Sequence, residues 1–178
     1  MTDWRPGGHR ADTASMLRVD QAGEYGATRI YAGQLAVLRA NSPEAKLVAR
    51  MAAQEERHLA RFNALIAKRK VRPTALQPLW NIAGFALGAA TALMSEEAAL
   101  ACTDAVETEI DRHYGQQLAE LGETDQELSA DIAEFRAEEL EHRDAARGAG
   151  AANAIGYPLL TAAIRAGCRV AIELSKRV

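Results

Sequence analysis

Glutamate and histidine residues interrupt the apolar stripes of the helices that this sequence predicts. In one predicted helix, apolar side chains recur at steps of three and four residues, and Glu139 and His142 occupy two of those inward positions. A second predicted helix repeats the pattern with Glu55 and His58. No lysine or arginine lies on these stripes beside the acids. Because an unpaired carboxylate is costly to bury, a packed core containing these faces needs another source of positive charge.

Two further predicted helices each bring one glutamate inward. Glu24 precedes Glu55 by 31 residues, and Glu107 precedes Glu139 by 32. The chain therefore reads Glu … Glu-x-x-His twice, as if one helical hairpin had been used two times. Two single glutamates and two Glu-x-x-His motifs, one from each of four helices, are the ligand set of ferritin-like bundles with a carboxylate-bridged pair of metal ions.

The predicted metal ligands are four carboxylates and two imidazoles. They are Glu24, Glu55, His58, Glu107, Glu139 and His142. A lone Glu-x-x-His motif is more often a solvated, salt-bridged helix face, but here all six residues interrupt apolar stripes. Two divalent cations would neutralise four carboxylates, and imidazole with carboxylate ligands suits iron or manganese. Metal binding and folding are then expected to be coupled.

The rest of the sequence predicts an all-α protein. It is rich in helix-forming residues, aromatic residues make up only 5%, and no window alternates like a strand. We predict a flexible tail over residues 1–12 and a single ferritin-like di-iron domain over 13–178. That domain is a four-helix bundle with an additional apolar crossover helix and a C-terminal amphipathic helix. The predicted helices span about 13–39, 43–70, 75–95, 96–121, 125–147 and 155–176.

Two of the helix starts carry explicit capping signals. Ser42 precedes Pro43, which is a preferred residue at the first helical position. Thr124 and Glu127 have the spacing of a capping box, in which the hydroxyl and the carboxylate satisfy each other's backbone N–H groups. These signals predict where the second and fifth helices begin.

Charge and cysteine content exclude several classes of protein. The chain has 21 Lys and Arg against 24 Asp and Glu, a formal net charge of -3, so we expect no nucleic-acid partner. Two cysteines are too few for a disulfide scaffold or a cysteine-rich metal site, and they fit a reducing compartment. The first residues have neither an apolar signal core nor an amphipathic presequence, so no signal or transit peptide is expected.

The uncharged segment 73–95 has two interpretations. It is too short to span a bilayer, since its apolar core of about 16 residues is below the roughly 20 required. It could be a crossover helix packed on the bundle through Gly84 and Gly88, or an interfacial arm with Trp80 and Phe85 at the acyl boundary. The last predicted helix adds a basic amphipathic pattern. We favour a peripheral membrane protein on the cytoplasmic side of the cell membrane.

The sequence resembles the Coq7 family, the di-iron demethoxyubiquinone hydroxylases of ubiquinone biosynthesis. The resemblance runs from about residue 16 to 178. It is carried by MLRVDQAGEYGATRIYAGQ, QEERHLARF, VRPTALQPLWNIAGFALGAATALM, ACTDAVETEIDRHYGQQ, FRAEELEHRD and AIRAGCRVAIELSKRV. Gln21, where family members often have His, departs from the pattern but lies beside the stripe that carries Glu24 and outside the predicted ligand set.

This resemblance implies a membrane-associated monooxygenase that uses dioxygen to hydroxylate a polyprenyl demethoxy-benzoquinone or quinol ring. The implied cofactors are two iron ions, with NADH as a candidate electron donor, and a lipid-presenting protein is a candidate partner. By family matching, the six predicted ligands hold the irons. Glu55 or Glu24, and Glu107 or Glu139, are candidate bridging groups. The family also implicates the pair His113-Tyr114 in electron delivery.

Outer acids should orient the two imidazoles through their free ring N–H groups. Asp20, one turn before Glu24, and Asp111, one turn after Glu107, are the candidates. The alternative for both is an ordinary acid on a helix surface. For His113 the alternative is a histidine without a redox role.

Two other functions compete with the hydroxylase. A ferritin- or rubrerythrin-like iron oxidase or storage protein shares the ligand set, but a storage shell needs a polar outer surface, which the segment 73–95 fits poorly. A rubrerythrin-type electron-transfer centre needs four thiolates, and the chain has two cysteines. A non-catalytic membrane or scaffold module would have no use for six inward ligands, because they destabilise a core that lacks metal.

Overall fold

The computed structural model describes residues 11–177, which are almost entirely helical and contain no strand. The six α-helices are α1 (Thr13–Val37), α2 (Pro43–Arg69), α3 (Gln77–Met94), α4 (Glu96–Leu121), α5 (Gln126–Gly148) and α6 (Tyr157–Arg177). A 3₁₀ turn at Ala151–Asn153 precedes α6. The predicted all-α class is confirmed, and each helix bound lies close to its predicted position.

The N-cap of α1 is the last residue of the segment predicted as a tail. Residues 1–10 of that segment are outside the described residues. Ala11 is buried against the core, and the Asp12 side chain accepts a hydrogen bond from the Ser15 N–H at 3.1 Å. The ordered domain therefore includes the last two residues of the predicted tail, because Asp12 is the N-cap of the first helix.

The bundle consists of two helical hairpins, α1 with α2 and α4 with α5. Its apolar core is divided into clusters near opposite ends. One contains Leu17 and Phe62, and the other contains Tyr31 and Met51. Along both α1 and α2, the buried Glu and His residues lie between these clusters. Apolar packing at both ends thus encloses a polar layer in the middle of the bundle.

The predicted caps are confirmed for α2 and wrong in detail for α5. Ser42 is the N-cap of α2, as predicted. At α5 the cap is Asp125, whose carboxylate accepts a hydrogen bond from the Leu128 N–H at 3.1 Å. The Thr124 hydroxyl instead donates to a backbone carbonyl, and Glu127 pairs with basic side chains of α2. The capping box fails because ion pairing between helices draws Glu127 away from the helix start.

Helix α3 packs on α1 with the two backbones in close approach. A Cβ atom at Gly88 would lie 1.9 Å from the carbonyl oxygen of Ile30, and one at Gly33 would lie 2.2 Å from that of Phe85. Only glycine fits at such contacts, so one face of α3 packs closely on the bundle. The opposite face of α3 nevertheless leaves large apolar side chains exposed. They are Leu79, Ile82, Leu93 and Met94.

Helix α6 is held against α4 by ion pairs to a buried glutamate and against α3 by a hydrogen bond. The Glu109 carboxylate of α4 accepts hydrogen bonds from Arg165 and Arg169, both at 2.7 Å. The Trp80 indole N–H donates to the Ser175 hydroxyl at 3.1 Å. The interfacial alternative placed Trp80 at an acyl boundary, whereas this bond turns its N–H inward between α3 and α6. Across residues 11–177, no helix combines the length and apolar character needed to cross a bilayer.

Candidate metal centre

The structure brings all six predicted ligands together in the polar layer of the bundle. None of them exposes more than 3% of its surface. Their ligand atoms form two groups, each within 4.8 Å. One group is Glu24, Glu55, His58 and Glu139, and the other is Glu55, Glu107, Glu139 and His142. Because Glu55 and Glu139 occur in both, they are better placed to bridge two ions than Glu24 or Glu107.

Both imidazoles turn the same ring nitrogen toward the carboxylates. His58 Nδ1 lies 3.1 Å from Glu139 Oε1 and 3.5 Å from Glu24 Oε2. His142 Nδ1 lies 3.1 Å from Glu55 Oε1 and 3.0 Å from Glu139 Oε2. Each Nδ1 is therefore available as a metal ligand, and each Nε2 faces outward from the centre.

The donor set fits metal ions because its polar atoms are buried without partners. Both Glu55 oxygens and one oxygen each of Glu24, Glu107 and Glu139 have no hydrogen bond, and neither has His58 Nδ1. Among residues 11–177, no lysine or arginine forms an ion pair with any of these four carboxylates. Buried polar atoms of this kind are rare in native proteins and require an explanation. Two divalent cations would satisfy them.

The protonation of the metal-free centre reflects the same lack of positive charge. Burial, and then the charge of Glu139, raise the pKa of Glu55 and Glu107 well above the ordinary carboxyl value. Burial also opposes ionisation of Glu139, but the adjacent imidazoles of His142 and His58 lower its pKa to about 2. Burial disfavours the charged form of His58, yet the adjacent carboxylates of Glu139 and Glu24 raise its pKa to about 10. Without metal, the centre therefore retains protons in place of cations.

Two buried tyrosines hold Glu24 and Glu107, the glutamates that each belong to only one ligand group. Each tyrosine lies on the helix that carries the other tyrosine's glutamate. The Tyr114 hydroxyl of α4 donates to Glu24 of α1, and the Tyr31 hydroxyl of α1 donates to Glu107 of α4 at 2.7 Å. Burial, and then these carboxylates, raise the pKa of both phenols. Sequence reasoning missed this role for Tyr31. The available signal was spacing, because each tyrosine follows the glutamate of its own helix by seven residues.

The outer nitrogens of the imidazoles contact residues other than those predicted. His58 Nε2 lies 2.6 Å from Glu138 Oε2, and His142 Nε2 lies 2.9 Å from Gln54 Oε1. Each partner directly precedes the shared glutamate of the opposite Glu-x-x-His helix. Glu138 lies about 100° around the helix from Glu139, away from the inward stripe. Its side chain nevertheless reaches sideways across the α2–α5 interface.

The predicted orienting acids lie away from the two ring nitrogens. Asp111 accepts a hydrogen bond from Arg136 at 2.6 Å and contacts neither imidazole. Asp20 is buried, accepts from Gln117 at 2.7 Å and lies 3.6 Å from His113 Nε2. The prediction for Asp20 and Asp111 was wrong because one turn along α1 or α4 leads away from α2 and α5, which carry the histidines.

His113 lies at a small surface recess beside the centre. The recess has a volume of about 250 Å³ and is lined by α1, α4 and α6. The His113 ring lies 3.1 Å from Gln117 Nε2, and its centroid is 6.3 Å from that of Tyr114. A short chain of polar and aromatic groups thus connects the recess to Glu24. Gln21 takes no part, since its amide donates to Asn63 at 3.1 Å.

An apolar cavity of about 590 Å³ lies on the other side of α1 and α4, where α3 and α6 cover them. Glu109 is the one charged residue among those that line it in the described part of the chain, and arginines neutralise its carboxylate. The lining includes Gly23 and Val106, which adjoin Glu24 and Glu107 in the chain. The cavity therefore reaches the backbone that carries two predicted ligands.

Comparison with known proteins shows the family to which the chain belongs. The family model described as "Ubiquinone biosynthesis protein COQ7" matches residues 11–175. A protein of Rhodospirillum rubrum named 3-demethoxyubiquinol 3-hydroxylase is 56% identical over 162 residues, covering 91% of this chain and 76% of the relative. The human protein named NADPH-dependent 3-demethoxyubiquinone 3-hydroxylase, mitochondrial, is 51% identical over 173 residues, covering 95% and 79%. The chain belongs to the COQ7 family.

Proposed function

We propose that this protein is a di-iron monooxygenase that uses dioxygen to hydroxylate the ring of a polyprenyl demethoxy-benzoquinone or quinol in ubiquinone biosynthesis. The observation that carries the proposal is the convergence of six buried candidate ligands in one layer of the bundle, five of which have polar atoms without a hydrogen-bond partner. The names of the relatives specify hydroxylation of this ring. Iron, when bound, supplies the dioxygen chemistry.

The protein's own residues bind the substrate and exclude water. The apolar cavity suits a long isoprenoid tail, because it offers the tail almost no polar group. Its lining at Gly23 and Val106 brings a bound ring close to the helices that carry Glu24 and Glu107. Tyr31 and Tyr114 fix those two carboxylates by hydrogen bonds, so that the ligands are held in place before substrate arrives.

Electrons enter by a separate route in this proposal. His113 borders the open recess, and Tyr114 beside it contacts Glu24 directly. A nicotinamide coenzyme is the proposed donor, with NADH as the candidate form. The human relative is named as NADPH-dependent. Replacing His113 with alanine should slow reduction of the irons by the coenzyme while leaving reduction by dithionite unchanged.

Substrate enters from a membrane surface in this proposal. Helix α6 also exposes large apolar side chains, at Leu159, Val170 and Leu174. A polyprenyl tail has negligible solubility in water, so a peripheral site at the acyl boundary gives it a direct path to the cavity. A lipid-presenting protein partner is a further proposed participant. Co-flotation with liposomes tests membrane binding, and protein that stays at the bottom of the gradient contradicts it.

The decisive test of function is turnover by protein reconstituted with Fe²⁺ and presented with demethoxyquinol in liposomes. The wild-type protein should form the hydroxylated ring in a dioxygen-dependent reaction. Glu55→Gln should abolish turnover, because Glu55 belongs to both ligand groups. Glu56→Gln is the matched control, since Glu56 is its exposed neighbour. Iron oxidation without ring hydroxylation would instead support the iron-oxidase or storage alternative, which shares the ligands.

A further inference from the structure

The two metal positions are built from the same kinds of ligand. We call them the His58 position (Glu24, Glu55, His58, Glu139) and the His142 position (Glu55, Glu107, Glu139, His142). Each has one histidine, one glutamate of its own and the two shared glutamates. Each unshared glutamate also accepts a hydrogen bond from a buried tyrosine of the opposite helix. The immediate surroundings of the two positions are therefore closely matched.

The match ends at the partner of each histidine. Gln54 precedes Glu55 as Glu138 precedes Glu139, so residues 54 and 138 are equivalent in the internal repeat. Glu138 contacts His58 Nε2 at 2.6 Å, and Gln54 contacts the Nε2 of the other histidine at 2.9 Å. One position thus has an anionic partner and the other a neutral amide. This is a difference of one full charge between equivalent contacts.

The charge on Glu138 is only partly offset by its surroundings. Arg57 donates to both oxygens of Glu138, at 3.0 and 3.2 Å. The Arg57 side chain is 58% exposed, whereas that of Glu138 is 21% exposed and that of His58 is fully buried. Water therefore screens the arginine more than it screens the contact between Glu138 and His58. A carboxylate accepting the N–H of a ligating imidazole makes that imidazole a stronger donor to a metal than a neutral acceptor does.

We propose that Glu138 and Gln54 are positioning residues that make the two metal positions unequal. The His58 position binds a divalent ion more tightly and is the more electron-rich of the two. The inference rests on the proposed function only in requiring two ions per chain. One Glu-for-Gln difference outside the ligand set thus determines which of two similar metal positions is filled first and which is oxidised first.

Calorimetric titration of the metal-free full-length protein with Mn²⁺ alone tests the inference. Glu138→Gln keeps an acceptor oxygen but removes the charge, so it should weaken the tighter step tenfold to a hundredfold and leave the weaker step almost unchanged. Gln54→Glu should strengthen the weaker step. Each variant should therefore bring the two dissociation constants closer together. Glu134→Gln removes the same charge from an exposed position one turn earlier on α5 and should change neither step.

Half-loading with ⁵⁷Fe²⁺ gives a Mössbauer spectrum that would not change on substitution if Glu138 had only a structural role. One equivalent of ⁵⁷Fe²⁺ followed by one of natural Fe²⁺, under argon, should give a Mössbauer spectrum with one dominant doublet for the wild-type protein. Glu138→Gln should distribute the label between two doublets. Exchanging both residues, as Gln54→Glu with Glu138→Gln, should restore one dominant doublet of the other kind.

Distinct outcomes overturn the inference and the proposed function. The inference is wrong if Glu138→Gln shifts both Mn²⁺ steps equally, or shifts them no more than Glu134→Gln does. It is also wrong if the half-loaded wild-type protein shows two doublets of equal area. Failure of the wild-type protein to bind a second ion would contradict the two-metal centre itself, and the inference with it.

Discussion

Helices α1 and α4 separate two interiors of opposite character. On one side, Glu24 and Glu107 face α2 and α5 in a layer of buried carboxylates and imidazoles. On the other side, Gly26 and Val106 face α3 and α6 across an apolar cavity. The same pair of helices thus places the candidate metal centre and the apolar cavity only a helix width apart. The comparison indicates that extra helices around a ferritin-like bundle can enclose an apolar cavity without disturbing the candidate ligand set.

The two interiors are stabilised by different forces and should respond differently to substitutions. The polar layer contains buried carboxylates that repel one another until cations or protons neutralise them. The cavity side depends on close contact between backbones at Gly33 and Gly88, where shape matters and charge does not. Substitutions on the polar side should therefore change metal content, and those on the cavity side should change stability or substrate binding.

The largest expected effect is on metal content. Glu139→Gln should remove both ions, because Glu139 belongs to both ligand groups. Glu107→Gln should leave one ion at the His58 position, since Glu107 belongs to only one group. The iron content of each variant is measured by elemental mass spectrometry after anaerobic reconstitution. We expect no iron per chain for Glu139→Gln and one iron per chain for Glu107→Gln. Equal losses in the two variants would contradict the assignment of Glu139 as a shared ligand.

The next largest effect is on the α1–α3 contact. Gly33→Ala should destabilise the protein by about 3 kcal/mol, because its Cβ would lie 2.2 Å from the carbonyl oxygen of Phe85 and neither backbone can yield cheaply. Gly26→Ala, seven residues earlier on α1, is the matched control. A Cβ there meets no atom within 4 Å, and alanine should gain up to about 1 kcal/mol in helix propensity. Chemical denaturation measures both, and similar values for the pair would refute the close contact.

A smaller effect is expected from pH on the metal-free protein. The pKa of His58 is raised to about 10, so its contribution to stability is complete below its unfolded value near 6.5 and is lost as pH rises toward 10. The raised pKa values of Glu55 and Glu107 act in the same direction. The lowered pKa of Glu139 affects only acidic solutions, below about pH 4.5.

Metal-free protein should therefore lose roughly 2 kcal/mol of stability between pH 7 and pH 9. Protein loaded with metal has these protons displaced and should not lose stability over that range. Thermal denaturation of both forms in matched buffers provides the comparison. A metal-free protein that becomes more stable toward pH 9 would show that the carboxylates are balanced by something other than protons.

The smallest expected effect is on substrate binding in the cavity. Gly26 lines the cavity and has space beside it, so Gly26→Leu should occupy part of the volume that a polyprenyl tail requires. KM for a long-tailed substrate should rise about tenfold, equivalent to ~1.4 kcal/mol. KM for a substrate with a single isoprene unit should change much less. An equal rise for both substrates would place the tail elsewhere.

The convergence of the six candidate ligands could be predicted from sequence because it depends on helical period. Each of the six residues falls on an apolar stripe, and four helices that bury those stripes must bring the side chains together. The repeated spacing from Glu24 to Glu55 and from Glu107 to Glu139 also indicated four helices in two hairpins. The packing of α3 was among the predicted alternatives, since Gly84 and Gly88 give it a face that permits close approach.

The partners of the histidines could not be predicted because they depend on contacts between helices. Asp20 and Asp111 were chosen by their distance along α1 and α4, but the ring nitrogens face the α2–α5 interface, where Glu138 and Gln54 reach across. The sequence also left open which glutamates belong to both ligand groups. Glu55 belongs to both because of the distances between the packed helices, which the sequence does not give.

The most direct test of the metal centre is the iron stoichiometry of protein reconstituted under argon, with a Mössbauer spectrum of the ⁵⁷Fe-loaded sample. The account predicts two irons per chain, both high-spin Fe²⁺ with nitrogen and oxygen ligands, and magnetic coupling between them after oxidation. One iron per chain, none, or two irons without coupling would contradict it.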